Sequence, residues 1–427
     1  MPSSSCKGSE VERSFLKRGL WVVGWLIALN GTPVFTSPVQ AQDAKTEGVR
    51  PEVGKSLQAA QELIKARKFK DALVKLGEAD ALPGKTGYES YVLERLRASA
   101  AMQAGDNEQA IKSVGALFAS GRVPAAEQLK LVESVVGMYY RAKDYARAVT
   151  WGQRYFKDGG SNPAMRTLLI QSMYLNNEFA AAAKELQSDL QAEEKTGQTP
   201  SEDRLQLLAS CYLRLNDMSG YIHALERMVT HYPKKDYWVD LIRRVEKKPG
   251  FSERFALDVY RLKYATGNFA TAADYMEMAQ LAIQAGFPGE AKKVVDQGFV
   301  KGILGTGGEA ARHKRLADMA VKSMADDQKA LAQSESAATA AKDGNGLVNT
   351  GFNYVLLGQH DKGLTMMEQG IKKGGLKRPD DAALHLGMAY LMAGQKDKAR
   401  QALKSVQGTD GAADLARLWV IHLMRSS

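Results

Sequence analysis

Histidine and cysteine side chains can bind a metal or attack a substrate, and this chain has six histidines and two cysteines. The six histidines are His223, His231, His313, His360, His385 and His422, and no HExxH or CxxC motif occurs. His223 and His231 are eight residues apart, whereas two metal ligands on one helix face need a spacing of about four residues. The histidine pattern therefore predicts no metal site, and we expect no cofactor.

Nucleophilic and acid–base chemistry also lacks a recognisable motif. No G-x-S-x-G nucleophile elbow occurs. The Gly-rich segment Gly302–Gly308 follows no predicted strand and has neither phosphate-binding spacing, so we interpret it as a loop. The acidic pairs Asp326–Asp327 and Asp380–Asp381 fall at predicted helix edges, where negative charge favours a helix N-terminus. We predict that the protein is not an enzyme. An envelope hydrolase or polysaccharide-binding module is the alternative.

A short segment that recurs along the chain indicates which secondary structure positions these histidines, cysteines and acidic residues. In each copy a turn-prone residue ends one helix, a ring or carboxylate begins the next, and alanine follows one turn later. The copies are Ala66–Ala72, Ala104–Ala110, Ala142–Ala148, Asn176–Ala182, Thr266–Ala272 and Ala393–Ala399. We call the last residue of each copy the anchor, and Tyr221 and Gly363 hold that place in two further repeats. Recurrence of this kind predicts a stack of helical hairpins.

A second position, twelve residues before the anchor, is small in most repeats. Ala60, Ala98, Ala209, Gly351 and Gly387 hold it, and Tyr139, Tyr212, Tyr354 and Tyr390 come three residues later in their repeats. Small residues allow two helices to approach closely, and each tyrosine ring fills the space beside the contact. Val136, Ile170 and Tyr260 depart from the pattern.

These anchors, small positions and tyrosines resemble the tetratricopeptide repeat, whose period is about 34 residues. The stretches Cys211–Leu241, Ala279–Gly302 and Lys372–Leu423 also resemble exported tetratricopeptide proteins of proteobacteria, some of which are associated with TonB–ExbB–ExbD systems. The resemblance implies an all-α fold, an α-solenoid of tetratricopeptide-like hairpins with a C-terminal capping helix. It also implies a periplasmic scaffold whose partners are envelope proteins or peptide segments, including TonB-system components.

The first 41 residues have the pattern of an export signal. Arg13, Lys17 and Arg18 precede the apolar run Leu20–Leu29, and Val39–Ala41 offers small residues for a signal peptidase. The run is shorter than the roughly 20 residues that a stable bilayer span requires. We predict a cleaved signal peptide and no membrane span afterwards, and an uncleaved inner-membrane anchor is the alternative. Cys6 would leave with the signal, so that Cys211 remains alone without a disulfide partner.

The predicted organisation has four parts. A signal peptide (1–41) precedes an N-terminal helical array (42–301). A Gly-rich hinge with a long polar helix (302–345) leads to a C-terminal pair of hairpins with a capping helix (346–427). Leu415, Leu418, Trp419 and Leu423 are expected to cover the last repeat.

The first helix of each hairpin is expected to line a concave groove that binds the partner. The 427-residue chain has a formal charge of +10, which favours acidic partners or anionic surfaces, but no nucleic-acid-binding motif is present. Ordinary solvated surface and assembly into a homo-oligomer through the end of the array are the alternatives. The predicted groove residues are Arg95, Ser99, Lys130, Glu133, Tyr140, Asp203, Gln206, Ser210 and Arg214.

Overall fold

The computed structural model describes residues 47–425. Within that range the chain forms 20 α-helices and one short 3-10 helix, and no strand occurs. This confirms the predicted all-α array of tetratricopeptide-like hairpins. The predicted signal peptide (1–41) and its alternative as a membrane anchor lie outside the described residues. Between residues 47 and 425, no helix combines the length and apolar character needed to cross a bilayer.

The chain divides into two compact units, and the division falls between Asp189 and Leu190. The first unit consists of four hairpins. The helices of these hairpins are α1 Pro51–Lys65, α2 Phe69–Asp80, α3 Gly87–Ala104, α4 Asn107–Ala119, α5 Ala125–Arg141, α6 Tyr145–Lys157, α7 Pro163–Leu175 and α8 Phe179–Lys195. The division between the units falls within α8.

The second unit contains the remaining helices. They are α9 Glu202–Arg214, α10 Met218–His231, α11 Lys235–Glu246, α12 Ala256–Ala265, α13 Ala272–Gln284, α14 Pro288–Val300, α15 Ala310–Ala340, α16 Asn345–Leu356, α17 His360–Lys373, α18 Pro379–Met392, α19 Lys396–Lys404 and α20 Ala412–Arg425. The predicted boundaries after residues 301 and 345 both lie inside this unit. The four-part organisation therefore stays a prediction.

The recurrent turn between helices contains one residue in the left-handed backbone conformation, and this conformation explains which residue types occur there. The backbone φ angle is 75° at Gly105, 72° at Gly267 and 63° at Asn177, all of which follow the last residue of a first helix by one or two positions. Glycine adopts this conformation freely and asparagine tolerates it. Arg67 (58°) and Lys143 (61°) hold the same place although their side chains disfavour it. The motif therefore marks a conformational requirement that some repeats meet with strain.

The small position is buried as predicted. Ala60, Ala98 and Ala209 are at most 6% exposed, and Gly351 and Gly387 are also buried. The closest approach joins α16 and α17. A Cβ atom added to Gly351 would lie 2.6 Å from the carbonyl oxygen of Gly363, and one added to Gly363 would lie 2.4 Å from that of Gly351. Glycine is therefore required at both places.

Within the second unit, α18, α20 and the segment between α19 and α20 return to an earlier part of the chain. Helix α20 packs against α10 and α12, and Leu415, Leu418, Trp419 and Leu423 are all buried. The predicted capping helix is thus confirmed. We call the polar contacts of this return the return seam. They pair Glu226 with Arg417, Lys248 with Asp414, Ser252 with Asp410, Arg254 with Asp381 and Asp410, and Asp258 with His385.

The Gly-rich segment before α15 is packed on the helices around it. Leu304 is 2% exposed, and the backbone N–H of Gly305 donates a hydrogen bond of 3.1 Å to Nδ1 of His313. Helix α15 spans 31 residues, as the predicted long polar helix requires. Its buried residues, among them Leu316 and Leu331, recur at helical spacing along one face. A hinge at Gly302–Gly308 stays a prediction.

Candidate partner-binding faces

In the first unit, polar contacts join the first helices of successive hairpins. Arg95 on α3 donates a hydrogen bond of 2.7 Å to Oε2 of Glu127 on α5 and one of 3.1 Å to the hydroxyl of Tyr91. The side chains of Arg95 and Glu127 are 42% and 38% exposed, so this ion pair contributes at most about 1 kcal/mol. Arg95 is thus held between α3 and α5 while part of its side chain stays exposed to solvent.

Tyr140 on α5 is more constrained than its sequence suggested. Its hydroxyl donates a hydrogen bond of 3.3 Å to Oε1 of Gln171 on α7, and its ring meets Tyr145 edge-on at 5.7 Å. Burial, together with the neighbouring Tyr145, raises the pKa of Tyr140. The residue therefore connects two hairpins and closes a turn, and its role in a partner-binding face stays a prediction.

Glu133, Ser99 and Lys130 complete the predicted set in this unit. Glu133 accepts a hydrogen bond of 3.2 Å from Nδ2 of Asn162, and with burial it raises the pKa of Tyr155. Ser99 is half-buried and Lys130 is exposed. Among the contacts of residues 47–425, the Lys130 ammonium has no ion-pair partner, so it is the cation of this set most available to an anionic group.

In the second unit, the predicted face is organised around Tyr237 of α11. Gln206 on α9 donates a hydrogen bond of 2.5 Å to the Tyr237 hydroxyl, which in turn donates to Glu202. Lys234 holds the same carboxylate through a contact of 2.7 Å. Burial raises the pKa of Tyr237 to about 12, and the nearby Glu202 carboxylate adds to this shift. Tyr237 therefore acts as a neutral hydroxyl.

The other three predicted residues of α9 differ in exposure. Asp203 is exposed in the first turn of α9, Ser210 is half-buried in its middle, and Arg214 is exposed at its last residue. The predicted residues thus lie on helices that begin hairpins. These are α3 and α5 in the first unit and α9 in the second unit. Binding of a partner to either face stays a prediction.

Ring pairs across the turns were missed by the sequence reasoning. Tyr140–Tyr145, Tyr174–Phe179 and Tyr264–Phe269 meet edge-on at 5.7, 5.3 and 5.2 Å. In each pair the rings lie eight and three residues before an anchor, and this spacing is already present in the sequence. Edge-to-face rings of this kind contribute about 0.5–1.5 kcal/mol beyond their burial. These tyrosines and phenylalanines therefore stabilise the turns.

A hydrolase, which is the alternative function, would need a carboxylate or a thiol in an environment suited to catalysis. The buried carboxylates of the described chain are Glu89, Asp258, Glu290 and Asp414, and each one contacts an arginine or lysine. The hydrogen bond from Arg50 lowers the pKa of Glu89 to about 2. Burial raises the pKa of Cys211 to about 12, so its thiol stays protonated. These groups have the environments of structural ion pairs and of a packed hydrophobe.

Comparison with known proteins concerns the fold. The chain matches no known protein-family profile and no curated protein sequence. It is similar to a chain of the Naa15/Naa10 structure bound to HypK-THB, at 13% identity and a TM-score of 0.31, with 85% of this chain and 65% of that chain covered.

Two further solved structures are tetratricopeptide proteins. One comes from Parabacteroides merdae, at 11% identity and a TM-score of 0.27, with 77% of this chain and 98% of that chain covered. The other is the TPR2AB domain of yeast Sti1 in complex with pHSP90, at 12% identity and a TM-score of 0.23, with 70% and 99% covered. Such low scores transfer no partner or activity to this chain.

Proposed function

We propose that this protein is a non-enzymatic scaffold that binds an envelope protein through the first-helix faces of its hairpins. The single observation that carries the proposal is the set of polar side chains on consecutive first helices, which neighbouring hairpins hold in place. Arg95 contacts Glu127, Tyr140 contacts Gln171, and in the second unit Gln206 contacts Tyr237.

These contacts are suited to binding because they restrict side chains before a partner arrives. Immobilising a long side chain costs about 0.5–1.5 kcal/mol on association, and a side chain already held avoids much of that cost. Arg95 on α3 and Glu133 on α5 are held in this way, whereas Lys130 on α5 is exposed and has more freedom. In the second unit, Asp203 is exposed on α9. A face with both kinds of polar group is suited to an extended segment or to one side of a partner helix.

The compartment and the identity of the partner belong to the same proposal. The charged residues and apolar run before Ala41 support export to the periplasm. The resemblance of Cys211–Leu241 and Lys372–Leu423 to exported proteobacterial proteins supports an accessory role beside a TonB-type transport system. Fractionation with determination of the N-terminal residue tests the location. A chain that starts near Gln42 in the periplasm is expected, and an intact cytoplasmic chain would overturn this part.

Affinity purification of the tagged, mature chain, followed by identification of the envelope proteins that co-purify with it, tests the binding role. Arg95→Ala with Lys130→Ala should reduce the captured partner at least tenfold, because both changes remove charge from the first-helix face. Lys112→Ala with Lys184→Ala is the matched control, since these lysines are exposed on the second helices α4 and α8. Equal capture by the two double variants would refute the proposed face.

A further inference from the structure

Five basic side chains lie at one edge of the second unit. They are Lys342, between α15 and α16, Lys372 and Lys373 at the end of α17, and Lys377 and Arg378 in the segment before α18. All five are exposed. Each one belongs to the last turn of a helix or to a segment between helices, so these cations project from helix ends. We call these five residues the basic edge.

Backbone contacts hold the segments of the basic edge together. The N–H of Gly344 donates a hydrogen bond of 2.8 Å to the carbonyl oxygen of Gly374. A Cβ atom added to Gly344 would lie 1.8 Å from the carbonyl oxygen of Gly370, so the two backbones are in direct contact there. The start of α16 and the end of α17 therefore lie side by side, which brings Lys342 near the last residues of α17.

The side chain of Asn345 fixes the segment before α18. Its Nδ2 donates a hydrogen bond of 3.2 Å to the carbonyl oxygen of Gly375, and its Oδ1 accepts one of 3.0 Å from the backbone N–H of Lys377. The φ angles of Gly374 and Gly375 are 77° and 68°, which glycine adopts freely. The backbone that carries Lys377 and Arg378 is thus held in place before a partner arrives, and this lowers the entropic cost of binding.

The cations of the basic edge are not neutralised by ion pairs. Within residues 47–425, the ammonium of Lys373 contacts the carbonyl oxygen of Thr339 at 2.9 Å, and the other four side chains have no hydrogen-bond or ion-pair partner. Lys362, earlier on α17, is different because it contacts Glu335 at 2.6 Å. The charges of the basic edge are therefore available to an anionic group from outside the chain.

Two acidic residues beside the basic edge are engaged elsewhere. Glu368, one turn before the end of α17, accepts a hydrogen bond of 2.5 Å from the hydroxyl of Tyr390. Asp381, in the first turn of α18, is held by Arg254 at 2.9 Å. Neither carboxylate therefore compensates a cation of the basic edge.

Two further carboxylates, Asp343 and Asp380, belong to the same segments. Hydrogen bonds from Asn345, together with the charges of Lys377 and Lys373, lower the pKa of Asp343. This carboxylate thus stays ionised at neutral pH, and both ammonium groups lie close enough to act on it. Five cations and two carboxylates leave the edge with a net charge of +3, from 5 − 2.

We propose that the basic edge binds the anionic headgroups of a phospholipid bilayer and places the second unit against a membrane surface. Each Lys or Arg close to an anionic bilayer strengthens such attachment severalfold. A peptide partner needs a groove between helices or the edge of a sheet, whereas this surface consists of helix ends and short segments. A plane of phosphate groups contacts several projecting cations at once. This attachment goes beyond the proposed scaffold function and needs no protein partner.

Co-sedimentation of the mature chain with lipid vesicles tests the proposal. Binding to phosphatidylcholine vesicles that contain about 30% phosphatidylglycerol should exceed binding to pure phosphatidylcholine at least tenfold and should weaken as the salt concentration rises. Lys377→Gln with Arg378→Gln should reduce binding at least tenfold. Lys112→Gln with Lys184→Gln is the matched control, because it removes the same charge from exposed positions on α4 and α8, and it should change binding less than about twofold.

A second variant keeps the test decisive if the first one does not fold by circular dichroism. Lys342→Gln with Lys372→Gln removes two side chains that have no hydrogen bond, and it should weaken binding to anionic vesicles in the same way. Equal binding to anionic and neutral vesicles, or equal losses in a test variant and the control, would overturn the proposal. Binding to soluble polyglutamate without binding to vesicles would indicate an acidic protein segment as the partner and would overturn it too.

Discussion

Replacement of Gly351 by alanine is the perturbation whose effect the structure predicts most sharply. The added Cβ would lie 2.6 Å from the carbonyl oxygen of Gly363, 2.7 Å from Cγ of Met367 and 2.9 Å from the backbone nitrogen of Met367. Real Cβ contacts do not become this short, so α16 and α17 must separate. Two of the three obstructing atoms belong to the backbone, which cannot rotate away as a side chain would.

The expected magnitude is the difference between two opposing effects. Overpacking of a buried contact costs about 1–3 kcal/mol, and more where backbone must move. Alanine in place of a helical glycine contributes about 1 kcal/mol in the other direction. Because the α17 backbone must move, we place the packing cost near or above the top of the overpacking range. Once the gain from helix propensity is subtracted, we expect Gly351→Ala to lower the free energy of unfolding by about 1–3 kcal/mol.

Gly115→Ala is the matched control. Gly115 also lies inside a helix, α4, but nothing lies within 4 Å of its added Cβ. This variant should gain up to about 1 kcal/mol from helix propensity alone. Urea unfolding followed by circular dichroism measures both, with the fluorescence of Trp151 and of Trp238 and Trp419 reporting on the first and second units. A Gly351→Ala protein as stable as the Gly115→Ala protein would refute the close packing of α16 on α17.

Three further predictions concern the turns and one buried acid. Lys143→Gly should raise the free energy of unfolding by about 1 kcal/mol relative to Lys143→Ala, because φ is 61° there, and chemical denaturation checks the order of the two variants. Tyr140→Phe should cost at most about 1 kcal/mol because it loses only the hydrogen bond to Gln171. Tyr140→Ala should cost about 2–4 kcal/mol because the half-buried ring and its contact with Tyr145 are lost too, and equal losses would contradict this account. The pKa of Glu89 is lowered from 4.5 to about 2, so its contribution to stability is present above pH 4.5 and is lost as the pH falls towards 2. The free energy of unfolding of the unchanged chain should therefore exceed that of Glu89→Gln at pH 6, and the two values should become equal near pH 2. A difference between the two that does not change with pH would contradict the assignment.

Much of the fold could be predicted from the sequence because hairpin packing leaves a local, periodic signal. The anchors Ala72, Ala110 and Ala148 are all fully buried, and the small positions Ala98 and Gly387 lie at helix contacts. Gly387, for example, is constrained by Leu403 on the second helix of its own hairpin, and a constraint of this kind recurs with each hairpin along the chain. The capping role of α20 could be predicted for the same reason, from its own apolar face.

The return seam could not be predicted in this way. Lys248 and Asp414 are 166 residues apart, and Arg254 and Asp381 are 127 apart. In the sequence, a charged residue that takes part in the return seam does not differ from a charged residue exposed to solvent. No repeat spacing relates the two residues of such a pair. The contact between Asp258 and His385, which are also 127 residues apart, could not be predicted for the same reason, because the sequence presents His385 only as a histidine without a metal motif.

The candidate face is an intermediate case. Helical spacing was sufficient to place Arg95, Lys130 and Gln206 on first helices. The sequence could not indicate that Tyr140 would be engaged by Gln171 and Tyr145, because those contacts depend on the distance between neighbouring hairpins. Lys130 is therefore a better position than Tyr140 for a probe that must reach a partner.

In-cell crosslinking from position 130 tests the central claim most directly, with a photoreactive residue in place of Lys130 and the same residue in place of Lys112 as the control. Our account predicts one specific envelope protein captured from position 130 on α5 and none from position 112 on α4. Capture of the same protein from both positions, or of nothing from position 130 in growing cells, would contradict the claim that the first-helix face binds a partner.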